Sequence, residues 1–417
     1  MENERMSDAP GSAEYLTQQR ASLVPWVAMA RNEHGFGYLN ADGSLDASKG
    51  TELWITCRMT HVAALGLLAQ EEPHNSGPSA SELRDLATHG VRCLAETFHD
   101  GANGGWYAAV GADGPTVTTK QAYGHAFVIL AASSALAAGV DGADELLTAA
   151  LKVSDERFWD EEHGLVVEEW NADWSELDSY RGVNANMHTV EAYLAAGDVL
   201  GERRWHLRAG RIGEHVVAWA KSNNWRIPEH FDSSWEPQLE LHREQPAHPF
   251  RPYGATVGHG LEWARLLLAI DQSLGADAPE GFEVAATALY EQAVADGWDA
   301  DGAVGFVYTT DWEGTPVVRD RMHWVVAEAT ATAAALEKTT GEPQYSDAAA
   351  HWWQYADECV IDHEGGSWFH ELDPQNRPAG TVWPGKPDVY HAYQAALLPE
   401  LPLTPSFAAA LRARGGV

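Results

Sequence analysis

The sequence predicts an all-α fold in which six helical hairpins close into a toroid, with short β-like loops between the helices. Three observations carry this prediction. About twelve segments have the apolar spacing of helices. Glycine-rich loops with aromatic residues separate them. A polar and aromatic signature recurs six times along the chain at a nearly constant interval.

The helical segments are rich in alanine and leucine, and several end at glycine. Examples are 118–138 (TKQAYGHAFVILAASSALAAG), 320–341 and the amphipathic 81–98, where an apolar residue falls at every third or fourth position. The intervening loops, such as WDADGAVGFVYTTDWEG, place glycine beside aromatic and β-branched residues. That composition is typical of tight turns with a few extended residues.

The recurring signature lies early in one helix of each repeat. Its six forms are WITCRMTH, QAYGHAF, NANMHTVEA, GHGLEWARL, MHWVVAEA and DVYHAYQA. One residue from each defines intervals of 65, 65, 71, 65 and 67 residues: Arg58, Tyr123, His188, His259, Trp324 and His391. The widest interval contains 236–254, which we interpret as an inserted loop. A fixed period of this size indicates repeated helix–loop–helix units.

The end repeats decide between an open and a closed arrangement. A solenoid needs polar end repeats that cap it, whereas the first and last units here carry signature residues like the others, Arg58 and His391. This favours closure, with six inner helices around a central cavity. We therefore predict a single catalytic domain over 13–405, a disordered N-terminus at 1–12 and a C-terminal tail at 406–417. Three separate domains are the alternative that length alone suggests.

Charge and composition argue against several classes of partner. The 417 residues include 27 basic and 61 acidic side chains, and the formal net charge of −34 disfavours binding to nucleic acid or to an anionic membrane. Three cysteines without a C-x-x-C pair form no disulfide framework. No apolar run reaches the roughly 18 residues of a membrane span, and the acidic first residues contain no apolar signal-peptide core. We expect a cytoplasmic protein.

Three histidines at equivalent positions, His188, His259 and His391, suggest acid–base chemistry. Histidine titrates near neutrality and can take and return a proton, although each one alone is more often structural. Glu262 follows His259 by three residues, so on a helix it can hold the imidazole in one tautomer, or be an ordinary solvated contact. Arg58 lies in an apolar helix start, where it can stabilise an enolate oxygen or pair with a carboxylate.

Other chemistries have weaker support. The H-x-x-E of His259 and Glu262 supplies two metal ligands, and helix-bundle metal sites also need further carboxylates, so we predict no metal. No phosphate-binding loop, nucleophile elbow or H-E-x-x-H motif is present. A glycosidase with paired carboxylates is a rival, with Asp173, Glu229 and Asp311 as candidates. A sugar-binding or scaffold protein is the non-enzyme alternative, but it would not need three histidines in register.

At these residues the chain resembles the N-acylglucosamine 2-epimerase superfamily, from about Trp26 to about Gln394, and most closely its aldose–ketose isomerase branch. The matching stretches are WITCRMTH, YRGVNANMHTVEA, EHFD, GHGLEWARL, VYTTDWEG and GKPDVYH. The resemblance implies an (α/α)6 barrel and an isomerase that needs no cofactor. It also implies a small neutral sugar substrate, with interconversion of D-mannose and D-fructose and, further, of D-lyxose and D-xylulose.

The resemblance also implies residue roles. His391 matches the main acid–base histidine, His259 its partner, and Glu262 the carboxylate that supports the partner. His188 and Arg58 match residues that help to open the sugar ring and bind its oxygens. The remaining matches are to positions that line the substrate pocket: Trp54, Tyr123, Asn184, Trp324 and Glu328.

Substrate charge is expected to depend on three positions. Sulfoquinovose isomerases of this branch hold the sulfonate with one arginine and two glutamines, which match Pro249, His370 and Pro387 here. Loss of the arginine removes a charge-assisted hydrogen bond of about 1.5–3 kcal/mol, which favours a neutral hexose, although Arg251 is near enough in sequence to compensate. A sulfoquinovose isomerase and a 2-epimerase stay as alternatives, and the sequence leaves the oligomeric state open, a homo-oligomer included.

Overall fold

The computed structural model describes residues 9–70 and 77–415, and helices dominate these ranges. In chain order the α-helices are α1 (Ala13–Ala30), α2 (Leu53–Ala69), α3 (Ala80–Glu96), α4 (Ala122–Ala137), α5 (Ala143–Val153), α6 (Val183–Leu200), α7 (Arg203–Ser222), α8 (Val257–Leu274), α9 (Phe282–Gly297), α10 (His323–Thr340), α11 (Pro343–Tyr355), α12 (Tyr390–Leu397) and α13 (Phe407–Gly415).

The even-numbered helices form a closed inner ring. Each of α2, α4, α6, α8 and α10 contacts the next, and α12 contacts both α10 and α2. The inner helices are buried on nearly all sides, as α4 shows, whereas outer helices such as α3 bury only one face. The odd-numbered helices α3 to α11 pack on the inner helix that precedes them, and α1 packs on α12. The predicted toroid of six hairpins is confirmed, and the sixth hairpin joins the two ends of the chain.

Short antiparallel strands connect neighbouring repeats at one end of the barrel. They are β1 (Arg31–Asn32), β2 (Gly35–Phe36), β3 (Thr51–Glu52), β4 (Ala109–Gly111), β5 (Gly114–Val117), β6 (Lys120–Gln121), β7 (Trp159–Asp160), β8 (Leu165–Val166), β9 (Glu169–Trp170), β10 (Arg181–Gly182), β11 (His230–Phe231), β12 (Ala255–Thr256), β13 (Thr309–Thr310), β14 (Pro316–Val318), β15 (Arg321–Met322) and β16 (Glu371–Leu372).

The strand pairing follows one rule. The strand just before an inner helix pairs with a strand of the following outer-to-inner loop, as in β3–β4, β6–β9, β10–β11, β12–β13 and β15–β16. In β10–β11, for example, Arg181 lies opposite Phe231 and Gly182 opposite His230. These pairs hold the loops as a collar around the N-terminal ends of the inner helices. The predicted β-like loops are thus present, and 236–254 is an inserted loop between β11 and β12.

The predicted chain ends need correction. Residues 1–8 of the segment predicted to be disordered lie outside the described residues, while Ser12 caps α1 by accepting a hydrogen bond from the Tyr15 backbone (3.3 Å). The segment predicted as a C-terminal tail contains α13, whose Ala408 to Leu411 are buried and which packs on α2, α4 and α6. The boundary at 405 is therefore wrong, because these apolar residues cover the barrel end opposite the collar.

No helix within residues 9–70 and 77–415 combines the length and apolar character that crossing a membrane requires.

Candidate active site

A cleft opens at the collar end of the barrel, where the inner helices begin. It encloses about 600 Å³ of empty space, counted out to its open mouth, which is within the usual range for small-molecule sites. All six signature residues line it, so the repeat correctly predicted which helices and which faces meet. Nine of the ten predicted site residues are on its wall: Trp54, Arg58, Tyr123, Asn184, His188, His259, Glu262, Trp324 and His391.

His259 is paired with a carboxylate, but not with the predicted one. Its Nδ1 lies 2.8 Å from Oε2 and 3.0 Å from Oε1 of Glu229. A carboxylate only accepts, so Nδ1 of the ring carries a hydrogen. Glu262 shares the helix with His259, but its Oε1 lies 3.7 Å from Arg265 Nη2 instead. The prediction that Glu262 orients His259 is therefore wrong, because Glu229 reaches the ring from the collar.

Glu229 is placed by the strand pairing. It directly precedes β11, its carbonyl accepts a hydrogen bond from the Val183 backbone (3.1 Å), and its carboxylate also contacts the backbone nitrogen of Thr256 (3.4 Å) just before α8. Glu229 is only 4% exposed. Sequence reasoning had named it only as a candidate glycosidase carboxylate.

His391 forms the second histidine–carboxylate pair. Its Nδ1 lies 3.0 Å from Oε1 of Glu328, whose other oxygen accepts a hydrogen bond from Arg265 Nε at 3.0 Å. Glu328 was predicted to line the substrate pocket, but it lies behind His391 and not on the cleft wall. Burial, together with the nearby charge of Arg58, holds the pKa of His391 well below its usual value. The ring is therefore neutral near pH 7 and able to act as a base.

The indole of Trp324 lies between the two histidines. Its ring centre is 5.4 Å from that of His259 and 5.8 Å from that of His391. Gly258 makes this position available, because a Cβ there would lie 2.2 Å from the Trp324 ring. The glycine that opens GHGLEWARL therefore serves the site directly.

Arg58 pairs with a carboxylate, which is one of the two roles that the sequence left open. It lines the cleft, and its guanidinium bonds Asp388 (3.2 Å) and the Tyr123 hydroxyl (3.0 Å). Burial alone would lower the pKa of Arg58, but Tyr123 and Asp388 raise it overall. The cleft thus contains a permanent positive charge with a fixed orientation.

A layer of ionisable side chains forms the floor of the cleft. His188 Nδ1 lies 3.7 Å from Glu191 and 4.0 Å from Glu262, and burial lowers the pKa of His188 to about 4 in spite of the Glu191 carboxylate. Burial, and then the charge of Glu328, raise the pKa of Glu262 well above its usual value. Glu262 Oε1 has no hydrogen-bond partner. With a pKa of about 4, His188 is neutral near pH 7.

The same floor residues form two groups with metal-ligand geometry. His188, Glu191 and Glu262 form one, and Glu262 joins Glu328 and His391 in the other. Arg265 already places a positive charge against them, through its bond to Glu328 and its 3.7 Å approach to Glu262. A divalent ion here would be repelled by that guanidinium, so the donor set fits a metal poorly. Metal independence stays a prediction.

The glycosidase candidates do not form a pair. Asp173, Glu229 and Asp311 are all absent from the cleft wall, where the carboxyl groups belong to Glu262 and Asp388. Asp388 is engaged by Arg58, and its pKa is lowered. This arrangement offers no free carboxylate to act as a nucleophile.

Sequence reasoning missed other residues of the wall. They are Phe250, Pro252, Tyr308, His323, Trp383 and Asp388. Three of them had a signal in the sequence, since His323 directly precedes Trp324 in MHWVVAEA, Tyr308 lies in VYTTDWEG and Asp388 lies in GKPDVYH. The aromatic residues of the inserted loop and of the loop near 383 had none.

Comparison with known proteins identifies the family. The profile of the N-acylglucosamine 2-epimerase (GlcNAc 2-epimerase) family matches residues 35–395. A D-mannose isomerase of Thermobifida fusca is 48% identical over 406 residues, covering 96% of this chain and 97% of that protein. A D-mannose isomerase of Pseudomonas cannabina pv. alisalensis is 44% identical over 408 residues, covering 97% and 96%.

Solved structures give the same result. A crystal structure of D-mannose isomerase matches with a TM-score of 0.83 at 27% identity, over 93% of this chain and 97% of that one. Cellobiose 2-epimerase from Spirochaeta thermophila DSM 6192 matches with a TM-score of 0.78 at 22% identity, over 97% of each chain, and supports the fold alone. The protein is a sugar isomerase with an (α/α)6 barrel. It belongs to the N-acylglucosamine 2-epimerase family.

Proposed function

We propose that the protein interconverts D-mannose and D-fructose, and also D-lyxose and D-xylulose, by proton transfer through a cis-enediolate. The observation that carries this proposal is the pair of histidine–carboxylate couples, His259–Glu229 and His391–Glu328, on one cleft with Trp324 between them. Two oriented imidazoles are suited to taking and returning a proton on a neutral substrate. The D-mannose isomerases at 48% and 44% identity support the choice of sugar.

The reaction begins with opening of the sugar ring, which needs a proton for the ring oxygen and removal of one from O1. Glu262, whose pKa is raised well above its usual value, gives a proton to the ring oxygen, and neutral His188 accepts the one from O1. His391 then takes the C2 hydrogen as a proton, and the electron pair forms the enediolate, whose oxygen charge Arg58 stabilises. The same imidazole returns the proton to C1, which gives the ketose. His259 takes the proton from O2 and gives one to O1, so that C2 becomes the carbonyl carbon and C1 carries the hydroxyl.

The wall positions expected to govern substrate charge support a neutral sugar. Pro249, His370 and Pro387 all line the cleft, as the resemblance implied, and none supplies a cation. Arg251 is not on this wall and lies over the Tyr180 ring, 3.9 Å from its centre. We therefore expect a higher kcat/KM for mannose than for sulfoquinovose.

One assay tests the proposal. The protein is incubated in D₂O with mannose, glucose, fructose, N-acetylglucosamine or sulfoquinovose, and the products are followed by NMR. We expect mannose to give fructose that carries deuterium at C1, because a proton on an imidazole exchanges with water. Conversion of mannose to glucose without fructose would instead support a 2-epimerase, and full retention of the C2 hydrogen at C1 would support a hydride shift.

A further inference from the structure

His323 lies on the cleft wall, and the proton transfer proposed above does not use it. It is the first residue of α10, its side chain contributes to the wall beside His391, and the residue is only 6% exposed. Its ring stacks on that of His370, with 3.7 Å between ring centres and 29° between planes. His370 is on the same wall and is 4% exposed.

Hydrogen bonding determines the tautomers of these two rings. His323 Nδ1 lies 3.4 Å from the carbonyl oxygen of His370, and His370 Nε2 lies 2.9 Å from the carbonyl oxygen of Asp388. Carbonyl oxygens only accept, so both of these ring nitrogens carry hydrogen. His323 Nε2 is then left with a lone pair. It is buried and has no hydrogen-bond partner.

A buried hydrogen-bond acceptor without a donor destabilises the protein by about 1–3 kcal/mol. A ligand that donates a hydrogen bond to it therefore binds more tightly. We propose that His323 Nε2 accepts a hydrogen bond from a substrate hydroxyl that takes no part in the proton transfer. The contact makes the cleft selective for neutral polyhydroxylated sugars over sugars with an anionic group at that position. This inference rests on the proposed function and identifies His323 as the residue that discriminates between neutral and anionic substrates.

The chemistry of an anion explains the selectivity. Ionised carboxylate, sulfonate and phosphate oxygens have no hydrogen to donate, so they would meet the lone pair of His323 with lone pairs of their own. Protonation of His323 would relieve that contact, but burial and the stacked His370 ring hold the pKa of His323 well below its usual value. The ring is therefore an acceptor throughout the neutral pH range.

The first experiment compares two substitutions at this position with a control. In His323→Ala the acceptor is lost, and we expect kcat/KM for mannose to fall about 3- to 10-fold, the worth of one net hydrogen bond. His323→Gln can present an amide oxygen near the position of Nε2 and should recover most of the loss. His89→Ala is the matched control, because His89 is also 6% exposed, its Nε2 is bonded to the Gly35 carbonyl (3.1 Å), and it is not on the cleft wall.

The second experiment changes the substrate, so it does not depend on how a variant folds. Binding of 1,5-anhydro-D-mannitol, which cannot ring-open, and of its 3-, 4- and 6-deoxy analogues is measured by calorimetry on the wild type and His323→Ala. We expect one deoxy analogue to bind the wild type 3- to 10-fold more weakly, and to lose nothing further in His323→Ala. A carboxylate or sulfate at that same carbon should weaken wild-type binding more than the deoxy change does.

These measurements separate two failures. A wild type that isomerises no neutral aldose refutes the proposed function, while the binding series still tests His323. Unchanged mannose kinetics in folded His323→Ala, or no deoxy analogue whose effect depends on His323, would refute the inference and leave Nε2 as the partner of an ordered water only.

Discussion

Replacing Glu229 by glutamine tests the orientation of His259. The side chain keeps its shape and loses its charge, and Glu229 does not line the cleft, so we expect the effect in kcat and little change in KM. The carboxylate contacts Nδ1 of a buried ring at 2.8 and 3.0 Å. A hydrogen bond to a charged group contributes about 1.5–3 kcal/mol and a neutral one about 0.5–1.5 kcal/mol. The difference of about 1–1.5 kcal/mol corresponds to a loss of about 10-fold in kcat.

That figure is the lower limit for Glu229→Gln. If the glutamine amide nitrogen faces Nδ1, the His259 ring must carry its proton on Nε2 instead. Nε2 can then no longer act as a base, and kcat should fall by up to about four decades. The assay is the initial rate of ketose formation, with kcat and KM fitted separately and folding checked by circular dichroism. Glu400→Gln is the control, since Glu400 pairs with Arg20 at 2.7 Å and lies outside the cleft wall. A kcat within about twofold of wild type would refute the assigned role of Glu229.

Four further predictions follow from the same geometry. His391→Ala and His259→Ala should each lose at least about two decades in kcat while staying folded, because each removes a general acid–base group; a smaller loss would transfer the role to another residue. Activity should survive dialysis against a chelator, and loss that a divalent ion restores would contradict the prediction. Gly258→Ala should lower kcat/KM, because its Cβ would displace Trp324; unchanged kinetics would show that the indole position is unimportant. Burial lowers the pKa of His125 to about 3, so the unfolded chain binds a proton at this residue at a higher pH than the folded protein does. The free energy of unfolding should therefore fall as the pH is lowered from about 6.5 towards 3, by up to about 1.4 kcal/mol per pH unit. In chemical denaturation, His125→Gln should show a smaller dependence of this free energy on pH.

The closed ring could be predicted because its evidence is local and repeated. The inner helices of the structure begin within a few residues of the signature stretches, and the signature residues point to one cavity because their spacing is nearly constant. The ends of the chain were less predictable. The pairing of α1 with α12 joins residues more than 350 positions apart, and no local pattern reports such a contact. Helix α13 was not predicted from its sequence, FAAALRAR. Its apolar residues are buried against α2, α4 and α6, and this surface exists only once the barrel has closed.

The site shows the same division between local and distant information. His259 and Glu262 share one helix turn, so the sequence offers them as a pair, but a buried imidazole binds whichever carboxylate the surrounding structure brings to Nδ1. Two features bring Glu229 there: the β10–β11 pairing and the contact of its carboxylate with Thr256 at the start of α8. Glu328 comes from the neighbouring helix α10 to reach His391, 63 residues further along the chain. For His259 and His391, the histidine is supplied by one repeat and its orienting carboxylate by the repeat before it. The spacing of the signature therefore predicts the acid–base groups, while the groups that set their tautomers follow from how adjacent repeats are joined.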